Sequence, residues 1–238
     1  MKYLSIILLL FFASFFPFGT SAKTSNSNEG FVTESVTEEE KNTVLKNISI
    51  SKITKEPERQ PIECFDVNEN GEIAIGIYTT KEKIICIYSD DGTFQYGYKF
   101  YTSGNFGVEL KESNLYIYLV RSDIAIGIAP SGEIIEMSKI QNTSENNSYW
   151  NNYVSSNKRI VGDKVYILKN DMGIFNLFSP SYSQLIVQDG NGNQNIIYDV
   201  NSSQLTKNII ILLSILAFSA IVISCVVVQT TKSIKGRR

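Results

Sequence analysis

The sequence predicts a mainly β domain of three successive four-stranded antiparallel units, followed by one C-terminal transmembrane helix. Three observations predict it. Twelve short runs of Ile, Val, Tyr and Phe lie between residues 62 and 200, separated by Gly, Asn and Asp turns. The turns recur at a regular interval. From Ile209 to Val228 the chain is apolar, without charge or proline, and is followed by Lys232, Lys235, Arg237 and Arg238. About 20 apolar residues span a bilayer core, and Lys or Arg just past such a span stays on the cytoplasmic side.

The other elements follow in order. Lys2, the apolar stretch Leu4 to Phe18 and the small residues Thr20-Ser21-Ala22 have the layout of a signal peptide, expected over 1–22. Residues 23–60 form a polar leader. Within it Thr37-Glu38-Glu39-Glu40 resembles a capping box and predicts a short helix, and Ile48 to Thr54 alternates as a single strand does. Residues 61–200 form the all-β ectodomain. Its strands are expected at Phe65–Val67, Ile73–Tyr78, Lys83–Tyr88, Phe94–Phe100, Phe106–Leu110, Leu115–Val120, Ile124–Ile128, Ile134–Met137, Arg159–Val161, Lys164–Leu168, Gln184–Gln188 and Asn195–Tyr198. A linker over 201–207, a transmembrane helix over 208–229 and a basic tail over 230–238 complete the chain.

The hairpins repeat. Lys83 to Gly92, Asp123 to Gly132 and Ser183 to Gly192 align, each ending in a turn glycine. The glycines at 92, 132 and 192 are 40 and 60 residues apart, and the longer interval holds an insertion at 141–157. A second hairpin precedes each marked one, so each unit has four strands in about 40 residues. This pattern resembles the β-propeller-type repeats of bacterial secreted and surface proteins, over residues 62–200. The resemblance implies three blade-like units. Propellers close with four or more blades, so three imply a partial propeller, an open array of small sheets, or two copies combined. A compact sandwich uses the same strands.

Composition excludes several activities. The chain has no histidine, which removes Ser-His-Asp triads, Cys-His dyads and His-ligated metal sites. Between the two apolar ends there are 17 basic and 24 acidic residues, a net −7. That argues against nucleic acid as a partner. The frequent Ile, Asn and Lys fit an AT-rich genome such as those of many Gram-positive bacteria. In a eukaryotic host Asn47, Asn142, Asn146 and Asn201 would accept glycans. Cys64 and Cys86 fall on the first and third strands of one unit, about 10 Å apart. A disulfide needs less than about 7 Å between Cα atoms, so two separate buried thiols are expected. Cys225 lies in the transmembrane run as a small apolar residue.

Few residues suggest chemistry. Asp66, Asn68, Asn70 and Gly71 match the first half of a calcium loop, but position 12 is Ile77 where a glutamate is needed. The same residues suit a hairpin turn, and no metal and no cofactor is expected. Glu133 with Glu136, or Glu109 with Glu112 and Asp123, invite a two-carboxylate hydrolase reading. Residues i and i+3 on a strand point to opposite faces, which keeps Glu133 and Glu136 apart. Lys83, Arg121 and Asp123 lie where charges plug the ends of barrels and propellers. In the insertion, Tyr149, Trp150 and Tyr153 stand among Asn146, Asn147, Asn151 and Asn152. Flat rings beside amides suit a glycan or a protein partner, and equally suit a cover over a sheet.

The sequence therefore reads as a non-enzymatic ectodomain on the outer face of the cell membrane, single-pass, with its N-terminal part outside. Its work is binding a protein, a neighbouring membrane protein or an envelope glycan. A carboxylate-based hydrolase and a purely structural surface protein are the alternatives.

Overall fold

A computed structural model of the chain describes residues 30–79, 82–178 and 181–235. The expected signal peptide and the last three residues of the basic tail lie outside the described residues. Among the described residues, fourteen strands and three α-helices follow in order. The leader supplies β1 (Thr33–Ser35), α1 (Glu38–Ile48) and β2 (Ser51–Ile53). The ectodomain supplies β3 (Ile62–Val67), β4 (Ile73–Tyr78), β5 (Lys83–Tyr88), β6 (Phe94–Phe100), β7 (Phe106–Lys111), β8 (Asn114–Leu119), β9 (Ile124–Ile128) and β10 (Ile134–Ile140). After α2 (Ser144–Tyr149), which runs on as a π-helical turn over Trp150–Val154, come β11 (Lys158–Val161), β12 (Lys164–Lys169), a 3-10 turn (Gly173–Phe178), β13 (Gln184–Gln188) and β14 (Gln194–Asp199). Then α3 runs from Asn201 to Lys235. Residues 201–207, expected as a linker, are its first two turns.

The strands form three antiparallel sheets, each a four-stranded meander of sequence neighbours: β3 to β6, β7 to β10, and β11 to β14. The leader adds a fifth strand to two of them. β2 pairs with β6 at the edge of the first sheet. β1 pairs with β10 at the edge of the second, Thr33 opposite Ile140. That pairing explains why β10 runs three residues beyond the expected Met137. The helix α1 begins at the expected cap: the Glu40 N–H donates to Thr37 Oγ1 at 3.2 Å and Glu40 accepts from the Thr37 N–H at 3.0 Å. It ends at Ser49, which turns left-handed at φ 47°.

The marker glycines occupy equivalent turns between the third and fourth strand of each unit. Gly92, Gly132 and Gly192 have φ of 84°, 98° and 85°. Each donates its N–H to the carbonyl three residues earlier, at 3.0, 2.8 and 3.0 Å. Only glycine reaches that backbone region at little cost.

The order of layers follows from the apolar runs. The first sheet is central. Phe65, Ile75 and Cys86 pack towards Tyr166, Leu185 and Tyr198 of the third sheet. Cys64, Ala74 and Ile85 on its other face pack towards Val108, Ile117 and Ile126 of the second. Strands covered on both faces carry near-continuous apolar sequence, and β4 and β5 read Ile-Ala-Ile-Gly-Ile-Tyr and Lys-Ile-Ile-Cys-Ile-Tyr. The thiols of Cys64 and Cys86 thus lie in different cores, unpaired, and burial raises both thiol pKa values, that of Cys86 to about 12. The outer face of the second sheet is covered by α2, through Tyr149 and Val154 on Tyr118 and Ala125.

Contact between the first two sheets leaves no room at Gly76. A Cβ there would overlap Cys64 Sγ and come within 2.8 Å of Phe106 Cε2. Gly76→Ala is therefore expected to destabilise the domain by about 1–3 kcal/mol through overpacking. The measurement is the urea midpoint of Trp150 emission for the whole chain in mild detergent. Adding Cys64→Ala, which removes Sγ, is expected to recover part of the loss. An unchanged midpoint in the single variant would contradict the contact.

Candidate functional site

The first strand of each unit is a sheet edge, and the three edges β3, β7 and β11 meet at the centre of the molecule. Edge strands carry unpaired backbone groups. Here buried charges satisfy them. Asp66 on β3 is fully buried and Arg159 on β11 is 5 % exposed. Arg159 Nε donates to Asp66 Oδ1 at 2.5 Å, and the Leu110 N–H of β7 donates to Asp66 Oδ2 at 2.7 Å. Arg159 Nη2 donates to the Phe65 carbonyl at 3.3 Å. Its guanidinium lies 4.4 Å from the centre of the Tyr153 ring. Burial pushes the Asp66 carboxyl up to about 6, against the opposing pull of Arg159 and the Leu110 N–H.

Beside this pair Glu109 on β7 accepts hydrogen bonds from the Tyr118 and Tyr149 hydroxyls, the latter at 2.8 Å. Burial, and then the Glu109 charge, raise both phenol pKa values. Every polar atom of this seam named above is engaged inside the protein, so it holds no open position for a solute.

The structure brings two of the three rings singled out in the insertion together and buries the three unequally. Tyr149 is 8 % exposed and faces Glu109. It stacks on Tyr153, with centroids 5.2 Å apart at 18°, and Phe31 meets it edge-on at 4.9 Å. Trp150 and Tyr153 are half-buried. The outer ring of Trp150 lies against Gly107, where a Cβ would sit 3.0 Å from two of its atoms. Asn146 is buried and clamps the leader: it accepts from the Val32 N–H and donates to the Val32 carbonyl, both at 2.8 Å. The surface left outward is Asn147, Asn151 and Asn152, with the edges of Trp150 and Tyr153.

The carboxylate sets do not converge. Glu112 and Asp123 lie in turns at opposite ends of β8, both left-handed, with φ of 56° and 54°. Glu136 accepts from the Tyr116 hydroxyl at 3.3 Å, and Glu133 sits in the hairpin turn. The calcium-like half-loop is a turn. Asn68 Oδ1 accepts from the N–H groups of Asn70 and Glu72 at 3.0 and 2.9 Å, and Asp66 is committed to Arg159. Of the proposed plug charges, Lys83 is buried and bonds Glu63 at 3.0 Å, while Arg121 reaches Ser103 at 3.1 Å on the surface.

Two features escaped the sequence reading. The first is Arg159, for which the signal in the sequence is a charged residue within the expected first strand of each unit (Asp66, Glu109, Arg159). The second is an open groove where α1 meets the strand ends, lined by Val44, Asn47, Ile48, Tyr78, Tyr101 and Leu119. Tyr78 and Tyr101 are about half exposed. Tyr78 directly ends one expected strand and Tyr101 directly follows another, positions that read as turn boundaries.

No protein-family model matches the chain, and no curated protein is significantly similar to it.

The seam makes a pH-dependent expectation. The folded protein holds the Asp66 proton more tightly than the unfolded chain does, so this carboxyl favours folding most below the ordinary carboxylate range. Its contribution is lost as pH rises through about 6. Arg159→Met removes the one cation facing Asp66 and is expected to cost about 3–5 kcal/mol at pH 8. Without that cation Asp66 takes up a proton still more readily, so the cost should be smaller at pH 6 and below than at pH 8. Urea midpoints of both chains from pH 4 to 8 check this, and a cost independent of pH would refute it.

Proposed function

We propose that this protein is a membrane-tethered, non-enzymatic binding ectodomain, displayed on the outer face of the cell membrane for a protein or envelope-glycan partner. The observation that carries the reading is the direct joining of the β domain to α3. Asp199 ends the last strand and α3 starts at Asn201. The helix is long and apolar enough to cross a membrane, and its apolar window has none of its residues buried in the protein. Ile210, Leu213 and Phe218 stand 58, 59 and 69 % exposed, an arrangement at home in lipid and costly in water. The Lys and Arg residues after Val228 support an inside C-terminus.

Binding is favoured over catalysis by the disposition of the charges. Asp66 and Arg159 are spent on holding strand edges together, Glu109 is spent on the Tyr118 and Tyr149 hydroxyls, and the remaining carboxylates of the hydrolase reading do not converge. The outward surface of the insertion combines amides with ring edges, the chemistry that sugars and protein side chains share. The three meanders, with first strands at the centre and marker glycines in equivalent turns, support reading the domain as three blade-like units of a partial propeller.

An epitope in the Asp189–Gly192 turn is expected to be removed by protease added to intact cells, and one after Arg238 to survive. Protection of the first would overturn the topology. For the binding surface, a photo-reactive residue at Asn151 is expected to give a discrete adduct with an envelope component, and one at Asn191 none. No adduct from Asn151, or the same smear from both, counts against the surface.

A further inference from the structure

The segment between β12 and β13 differs from the other loops of the domain. The hairpin turns carry Asn70-Gly71, Asp91-Gly92, Ser131-Gly132 and Asp189-Gly190. This loop reads Met172-Gly-Ile-Phe-Asn-Leu-Phe178, and no charged residue occurs from Met172 to Gln188. Ile174 in its 3-10 turn is 74 % exposed, the highest among the large apolar side chains of the described residues.

The loop is tied at its root to the start of α3. Asn201 Nδ2 donates to the Asp171 carbonyl at 2.7 Å, and Asn201 Oδ1 accepts from the Asp171 N–H at 3.3 Å. About two turns further on, Asn208 Nδ2 meets Met172 Sδ at 3.8 Å. Asn208 is the last residue before the apolar run that begins at Ile209. Within the loop, Asn176 holds the turn by accepting from the Met172 N–H at 2.9 Å and donating to the Asn170 carbonyl at 3.3 Å. An uncharged turn that exposes Ile174 is thus fixed at the level where α3 would enter hydrocarbon.

We propose that the Gly173–Phe178 turn inserts into the headgroup–acyl boundary of the outer leaflet as a second membrane contact beside α3. This rests on α3 spanning the membrane. A short apolar segment with no charge enters that boundary without desolvating an ion. Its own amide, Asn176, is occupied by the backbone. Two contacts instead of one fix how the domain is tilted over the bilayer, and with it the height of the insertion around Trp150.

The test uses the full chain with Trp150→Phe and Ile174→Trp, reconstituted in phosphatidylcholine vesicles with and without acyl chains brominated near the headgroup. Resistance to an alkaline carbonate wash reports separately on α3. The emission of the tryptophan at 174 is expected to be blue-shifted and to fall about twofold with brominated lipid. Trp150 in the unaltered chain should be indifferent to the bromine. A chain retained through the wash, whose tryptophan at 174 is quenched by acrylamide and not by bromine, overturns the proposal and leaves the anchor standing. Shielding from acrylamide without bromine quenching also overturns it, in favour of a protein contact. Loss in the wash overturns both. If Trp150→Phe fails to fold, Ile174→Cys with Cys225→Ala, labelled with an environment-sensitive dye, reads the same depth, since Cys64 and Cys86 are buried.

Discussion

The ion pair of Asp66 and Arg159 is what allows three separate sheets to share one centre. Each sheet presents an unpaired edge there, and no edge hydrogen-bonds to another as a ladder. The Leu110 N–H and the Phe65 carbonyl would otherwise be buried without partners, which costs free energy comparable to a lost hydrogen bond. One carboxylate and one guanidinium replace the missing ladder. They also bridge all three units at once, since Asp66 belongs to the first, Leu110 to the second and Arg159 to the third. A buried pair of this kind is expensive to form and gives little net stability. Its worth lies in register: no other placement of β7 or β11 against β3 would satisfy the same groups.

Around that seam the coverage of each sheet is unequal. The first is buried on both faces, the second by the first sheet and by α2, and the third on its inner face only. Ile160 and Ile196 on the third sheet are 60 and 50 % exposed, whereas the central strand β5 is buried throughout. The insertion therefore has a structural task before any binding task. Tyr149 and Val154 cover the second sheet, and Asn146 locks the leader strand in place. Whatever contact the outer side of the insertion makes, it does so from a rigid base, which is how binding groups are best held.

The domain also has two unlike ends. The turns with marker glycines lie at one end and carry Asp90, Asp91 and Asp189. The other end holds α3, the apolar 3-10 turn and the start of β3, where Lys207 reaches Gln60 at 3.3 Å. By the antiparallel register Tyr78 lies level with Lys83 and with Phe100, so the groove of Tyr78 and Tyr101 belongs to the α3 end too. Polar turns away from the helix and rings and apolar turns beside it match what a bilayer surface selects.

The sequence by itself determined the local elements. All twelve expected strands of the ectodomain formed, because runs of β-branched and aromatic residues and the turn glycines between them act within a few residues, and the capping box at Thr37 set the start of α1. Sequence neighbours paired, because short turns leave hairpins no other partner. Tertiary structure decided what depends on residues far apart in the chain. β1 is three residues long and only the edge of β10 makes it a strand, whereas β2 lies within the expected alternation of Ile48 to Thr54 and packing decided only its partner, the edge of β6. Tyr149 was legible as an aromatic in a polar loop, yet its hydroxyl turned inward to Glu109, 40 residues away. Arg159 shows in the sequence only as a charge inside a first strand, and its partner is not legible there, because Asp66 lies 93 residues earlier with a free edge beside it. Local sequence encodes backbone propensity and amphipathic period, while the partner of a buried charge is set by which edges packing brings together.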